Sequence, residues 1–485
     1  YANNGSITIA KNDIEKVIEL SPDRNLPQNK AIKENLKTKD DYKKAQEAKK
    51  DFEEKKKELK EKLNQENETN EETNNQNNNS SNTNSTNSSN QTNTTTTKQV
   101  ITKYKFVITN ENTSFEKLGI KEEDLQILIS EFSTRKFSLQ DLQDISNIIA
   151  YYFQVNGYPA ATAYVPQQEF EDSVQINIAL GTLGKYIIKN KTTIKDYFIE
   201  SKLNERIKGK IISTKLIEDS VYKVNEMYGV QTLAGLQAGG NVGETDIVIE
   251  VVPDTKANVL LYSDNYGIKS AGDIRAGISM GFNSIFNMGD YYNFYLQSSN
   301  EKQINYGASY TFFLGNLKIT PSVSKGNYSL GEDYENAGFY GASRNFGIDF
   351  SYPVWINTNS SFYFTSSIYH KILSDTSAGF LTFNKHSNVG SIGLEGLFRN
   401  FHNTFIYSTK INLGKVYDDG VNFLGTNYKN NSNGFGWFRK LNASLNNYYS
   451  INEYITHTLN INYQKVLGNF ELDSSESSSL GGAYG

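Results

Sequence analysis

Hydrophobic and polar residues alternate one for one through long runs of the chain's second half. In Ile274–Phe282 the apolar set is Ile274, Ala276, Ile278, Met280 and Phe282, interleaved with Arg275, Gly277, Ser279 and Gly281. Ile304, Tyr306, Ala308, Tyr310 and Phe312 alternate with Asn305, Gly307, Ser309 and Thr311, and Ile455–Gln464 repeats the pattern. A period of two places the two sets on opposite faces of a strand. The runs are about 9–11 residues long, enough for a tilted strand to cross a hydrocarbon layer. Strands of a soluble sandwich average only about 5–6 residues. About eleven such runs, joined by alternately short and long connections, predict an antiparallel transmembrane β-barrel over residues 255–485.

The first half is patterned differently. Residues 1–20 carry a short helical pattern, Ile14, Val17 and Ile18, opened by Asn12 or Asp13. Residues 21–97 form a connector. Its charged stretch Asp40–Leu63 reads as a solvated single helix, with a coiled coil as the alternative, and its Asn/Thr/Ser/Gln stretch from Asn64 to Thr97 reads as a disordered tether. Residues 98–181 and 182–254 then repeat one mixed pattern. The first copy gives a strand at Ile101–Ile108, a helix near Glu122–Phe132 and a second helix opened by Ser138 and Asp141 and stopped at Gly157. Strands at Ala161–Val165 and Val174–Leu180 complete it. The second gives a strand at Lys185–Ile188, a helix from Ser213 or Thr214 to Gly229, and strands at Gln231–Ala238 and Asp246–Val252. Each copy is small but large enough to fold alone.

Composition removes several classes of function. The net charge of −5 gives no general attraction to nucleic acid. Without cysteine there is no disulfide, zinc–thiolate site or thiol nucleophile. The mean hydropathy of −0.57 suits a soluble protein, but a barrel with a wet lumen escapes that inference. No run approaches a spanning helix, and the start at Tyr1 reads as that of a mature or trimmed chain. Neither a phosphate-binding loop nor a dinucleotide fingerprint is visible.

Several motifs resemble those of a known family. Asn156-Gly157-Tyr158-Pro159 followed by Val165-Pro166-Gln167-Gln168, and the Gly-rich turn Gly239–Asp246, resemble stretches of two POTRA modules. Leu261–Gly267 with Asp264, Asn265 and Gly267, then Gly272, Arg275, Gly289 and Asp290, resembles the family's barrel entry. The order of two modules and a barrel is similar to the TpsB transporters of two-partner secretion, in the superfamily that includes BamA-type assembly factors. The departures are Asp172-Ser173 in place of Asp-Gly and Met227–Val230 without Pro-Gly. The end of the chain, with Gly481, Gly482 and Tyr484, resembles the approach to the Arg-Gly-Tyr tip of the sixth external loop. The family barrel has about sixteen strands, and an open barrel leaves backbone unpaired in lipid. The resemblance therefore implies a fragment whose reading frame continues into that tip and further strands.

The resemblance also implies a function. A secreted TpsA-type exoprotein (adhesin, cytolysin or contact-dependent toxin) is captured through its N-terminal secretion domain and threaded through an outer-membrane pore without nucleotide hydrolysis. The segment 1–20 serves as a plug helix. Outer-membrane lipid is the other partner; no nucleic acid and no cofactor are expected, and the protein is a monomer with its N-terminal modules in the periplasm. Gly157, Tyr158, Pro159, Pro166 and Gln168 are candidate substrate-binding residues, against a structural role as helix stop and strand entry. Arg275 belongs in the lumen, either as part of a functional charged interior or as one of many charges on a wet wall. Asp264, Asn265 and Gly267 read first as a turn.

Other classes fare less well. A BamA-like assembly factor is the main alternative, and a simple porin or adhesin is another. Gly277-Ile278-Ser279-Met280-Gly281 matches G-x-S-x-G, but unbroken alternation replaces the strand–turn–helix a nucleophile elbow needs. His370, His386, His402 and His457 have no metal-ligand spacing. No catalytic residue is expected.

Overall fold

The computed structural model describes residues 50–51, 53–58, 61, 99–100, 103–130, 136–137, 139–168, 173–203, 207–265, 272–300, 303–329, 331, 338–357, 359–377, 380–400, 403–423, 426–428, 434–451, 455–469 and 471–477. The expected plug helix at 1–20 and the tether at 64–97 lie outside them. Where described, residues 50–61 are helical, with exposed pairs Lys50–Glu54 at 3.5 Å and Lys57–Glu61 at 3.8 Å. Lys55 Nζ sits 4.4 Å from the centre of the Tyr151 ring, so this helix touches the unit that follows.

That unit has a three-stranded sheet. β2 (Lys103–Ile108) runs parallel to β5 (Ser173–Leu180), which pairs antiparallel with β4 (Ala161–Tyr164). β1 (Gln99–Val100) and β3 (Lys136–Phe137) form a separate two-residue ladder. The helices Glu122–Ser130 and Leu139–Val155 cover the sheet. Leu125, Ile129, Ile145, Ile149 and Phe153 bury against Val174, Ile176 and Ile178. Gly157 ends the second helix at φ +101°, as its position predicts. Ser138, the expected cap, lies outside the described residues.

The second unit repeats the plan. β6 (Thr182–Asn190) is parallel to β8 (Glu244–Pro253), and β7 (Val230–Ala238) is antiparallel to β8. The Ser213 hydroxyl caps the helix Thr214–Asn225 by accepting from Leu216 N. The helix packs Val224, with Ile217 and Val221, onto Ile247, Ile249 and Val251. Two short helices, Phe115–Leu118 and Asp196–Glu200, escaped the periodicity reading because a single turn has no period to show.

Eleven strands in one antiparallel sheet follow among the described residues. They are β9 (Ala257–Asp264), β10 (Arg275–Asn283), β11 (Tyr291–Ser299), β12 (Ile304–Leu314), β13 (Leu317–Ser329), β14 (Tyr340–Ile356), β15 (Ser360–Ser377), β16 (Phe380–Arg399), β17 (Asn403–Asp418), β20 (Gly436–Ser450) and β21 (Thr456–Val466). The hairpin β18 (Val421–Phe423) and β19 (Thr426–Tyr428) stands in the loop after β17. Each strand pairs with its sequence neighbour, leaving β9 and β21 as the two edges.

Burial in this sheet is inverted relative to a soluble protein. Leu261, Ile348, Ile368, Ile392, Leu413 and Ile461 are exposed on one face. Thr311, Ser351, Ser367, Ser387, Ser391 and Lys440 are buried on the other. Apolar outside and polar inside is the pattern of a barrel wall in lipid. Two expectations need correction. β14 to β17 and β20 run 15 to 20 residues, not 9–11, because they continue past the apolar band with polar residues that carry no alternation signal. The short–long rhythm also fails at two connections, 300–303 and 378–379, which are as brief as the turns at the other end.

Candidate functional site

The second unit is fastened to the sheet through the turn 284–290. Asp290 is fully buried, and its carboxylate accepts from Phe286 N at 3.2 Å and Met288 N at 3.3 Å, closing that turn. Gly289 has φ +72°, and a Cβ there would lie 2.6 Å from Met227 Cε, so the backbone of the turn presses directly on the second unit. Tyr228 N donates to Gly289 O at 2.9 Å, and the Tyr228 ring stacks on Tyr291 at 4.7 Å. Gly289 and Asp290, singled out in the sequence, are thus residues of a joint.

The rest of the joint is built from residues sequence reasoning missed. Tyr363, at the start of β15, donates its hydroxyl to Glu226 Oε1 at 2.8 Å. Lys202 is 1% exposed, with Nζ 3.5 Å from the centre of the Phe313 ring and no hydrogen-bond partner among the described residues. Burial lowers its pKa to about 7, with Glu226 opposing that shift and Lys318 adding to it. Burial, and secondarily Glu226, push the Tyr228 hydroxyl up to about 12. Partners 137 positions apart leave no local signal in a sequence.

At the opposite end of β9 and β10, Arg275 Nε donates to Asp264 Oδ1 at 2.7 Å. Both side chains lie on the polar face, where alternation predicts Arg275. Gly272, at φ +101°, backs against Ser299 and Asn300, whose atoms would stand 2.4–2.6 Å from an added Cβ. Asn265 is an exposed bend; Gly267 is outside the described residues. Ser279 sits mid-strand in β10 opposite Leu260 and Tyr295, with no helix following.

The polar face also holds a segment of its own chain. After β21, residues 471–477 fold back onto it, and Asp473 caps the short 3₁₀ turn Ser474–Glu476. The Glu476 carboxylate meets Lys371 Nζ at 3.0 Å, Lys440 Nζ at 2.9 Å and the Ser387 hydroxyl at 3.1 Å. Lys385 Nζ reaches Asp473 Oδ1 at 2.5 Å. Glu476, Lys385 and Lys440 are buried, so these charges are compensated by one another. The lysines' places in the inward set were readable; their shared partner was not. Gly481, Gly482 and Tyr484 lie outside the described residues.

In the first unit, the candidate binding residues are engaged within the fold. Tyr158 donates its hydroxyl to Leu118 O at 2.9 Å and packs on Phe153. Gln168 bonds β5 both ways, Nε2 to Gln175 O and Oε1 from Gln175 N, each at 2.8 Å. Gly157 O accepts from Thr214 N at 2.9 Å, linking the two units. Pro159 and Pro166 flank β4 and are partly buried.

A pair of α+β units leading through a buried joint into a lipid-facing wall has counterparts. Residues 243–485, half of the chain, match the haemolysin secretion/activation protein family ShlB/FhaC/HecB. The chain belongs to this family. It is 24% identical over 280 residues to the heme/hemopexin transporter protein HuxB of Haemophilus influenzae strain 86-028NP, covering 56% of this chain and 50% of that protein. The HuxB of strain ATCC 51907 / DSM 11121 / KW20 / Rd is 24% identical over 258 residues, covering 52% and 46%. The chain thus spans about half the length of the curated relatives it matches. In fold it resembles CdiB from Escherichia coli, with a TM-score of 0.57 at 15% identity over 81% of this chain and 73% of that one. Members of the ShlB/FhaC/HecB family are β-barrel transporters of the outer membrane. No helix among the described residues is long and apolar enough to cross a membrane.

Proposed function

We propose that this chain is the pore-forming partner of a two-partner secretion pair, exporting a large secreted protein across the outer membrane. The observation that carries this reading is the polar inner wall with a segment of the chain, residues 471–477, seated on it. A solute-permeable porin needs no α+β units; a secretion pore needs a place to receive its cargo before the lumen. The two units, residues 98–181 and 182–254, act as POTRA domains in the periplasm. Their outer strands β2, β4, β6 and β7 offer edges for an extended cargo segment, which adds by backbone hydrogen bonding. Tyr158 and Gln168, held by their own fold, shape β4 and β5 rather than grip cargo directly.

Translocation then needs three things from the structure. The joint at 284–290 aims the units at the lumen. The inner wall offers hydroxyls and amides that solvate a passing backbone without holding it. The segment 471–477 must shift, exchanging its carboxylate–lysine contacts for water or cargo. Folding of the emerging chain supplies direction. The test is export of an exoprotein by cells carrying the complete transporter or a variant lacking residues 98–254. The variant is expected to insert in the membrane and export nothing; export at the wild-type level contradicts the proposal.

A further inference from the structure

The lipid-facing surface is asymmetric in charge. Alternation on β13, β14, β17, β20 and β21 assigns Lys325, Arg344, Lys415, Arg439 and Lys465 to the outward set, alongside exposed Val323, Phe346, Leu413, Trp437 and Tyr463. The register sets each within two residues of the next, in one row across the sheet. Lys325 is opposite Arg344, Lys415 is opposite Trp437, Arg439 is opposite Leu413, and Lys465 is opposite Leu441. On the strands between, β15 and β16, the same row carries His370 and His386, with ring centroids 5.6 Å apart. The belt lies at the ends of the strands away from the second unit. The near ends present Tyr352, Val354, Phe398 and Tyr449 outward, and no outward Lys or Arg falls there on β12–β21 among the described residues.

A cation on a lipid-facing wall is tolerated where its stem lies along the apolar band and its head reaches the headgroup layer. Lys415 shows that posture: its Nζ lies 4.4 Å from the Tyr417 ring centre and 5.7 Å from that of Trp437. No acidic side chain among the described residues forms an ion pair with Lys325, Arg344, Lys415 or Lys465. The acidic group bonded on this surface, Asp419, is hydrogen-bonded to His386 at 2.7 Å. Five fixed cations spread over an arc of seven neighbouring strands suit a row of anions held in a plane rather than one pocketed ion.

We propose that this belt binds the phosphate groups of lipid headgroups in the leaflet facing away from the α+β units. The surface meets lipid, not the lumen, so an exported chain does not encounter it. The assignment rests on the barrel's orientation in the membrane and not on its cargo, so an export assay and a lipid assay fail independently.

The test uses the complete protein in detergent, with lipid retention read by native mass spectrometry. Probes are a bisphosphorylated glycolipid, the same glycolipid with its phosphates removed, and inorganic phosphate as competitor. The bisphosphorylated form is expected to be retained at least about tenfold better than the stripped form. The variant K325Q/R344Q/K415Q/R439Q/K465Q should lose that preference, while inward-facing Lys410→Gln, on the other side of the same wall, keeps it. If the fivefold variant fails to fold, Lys325→Gln with Arg344→Gln, and separately Arg439→Gln with Lys465→Gln, should each lower the preference in part. Equal retention of the two glycolipids, full retention by the variants, or complete displacement by inorganic phosphate at concentrations equal to the lipid's overturns the proposal.

Discussion

A lysine removed from water has its charged form opposed by the fold, and Lys202, with no acceptor at hydrogen-bonding distance among the described residues, is in that position. Its folded pKa of about 7 lies below the ordinary 10.5. Between those values the unfolded chain holds a proton that the folded chain has released. Stability therefore rises with pH across that window, by up to roughly 1.4 kcal/mol per unit, and the gain is absent below pH 7. Lys202→Met is expected to flatten this dependence in thermal melts taken from pH 7 to 10.5; an unchanged slope would show that the ammonium is hydrated. Gly289 is sensitive for a different reason. Gly289→Ala adds a Cβ against Met227 at positive φ, and should destabilise the joint by about 1–3 kcal/mol, read as faster proteolysis between the second unit and the barrel. Gly243→Ala, at φ +81° with open space around it, bears the backbone strain without the clash and should cost less.

At the scale of elements, the segment 471–477 is held to the wall by charge. Glu476→Gln leaves buried Lys440 without its carboxylate, which typically costs about 3–5 kcal/mol for a buried pair, and half-buried Lys371 adds less because water screens it. The expected result is larger or more frequent channel openings in planar bilayers, with Lys440→Met added to Glu476→Gln recovering part of the loss. Conductance identical to the parent protein would mean that the segment does not limit the pore. The strands themselves were legible because lipid and water impose opposite polarity on neighbouring positions, as in Ile411, Asn412 and Leu413. Their full lengths were not, since beyond the apolar band neither face is apolar and Tyr340–Ser343 carry no period. The paired helices and strands of the two units were readable from capping and 3.6-residue spacing at Ser213, Ile217, Val221 and Val224. Glu226–Tyr363 and Glu476–Lys440 join elements that the chain brings together only after the sheet has curled, so no local pattern announces them.

For the whole molecule, one physical distinction organises everything else: which face of the sheet meets lipid. The aromatic residues mark its limits. Trp437 and Tyr449 on β20 are twelve residues apart, which for a tilted strand corresponds to a height of about 30 Å, near the thickness of a hydrocarbon layer. With no native cysteine, the chain accepts single cysteines without a competing thiol. The most direct measurement places one cysteine at a time from Lys410 to Lys415 in the complete protein in membranes, and labels each with a water-borne reagent and with a probe quenched by lipid. Aqueous labelling is expected at 410, 412 and 414, and lipid quenching at 411 and 413, with 415 at the boundary. Uniform aqueous labelling along the strand would contradict the account at its root.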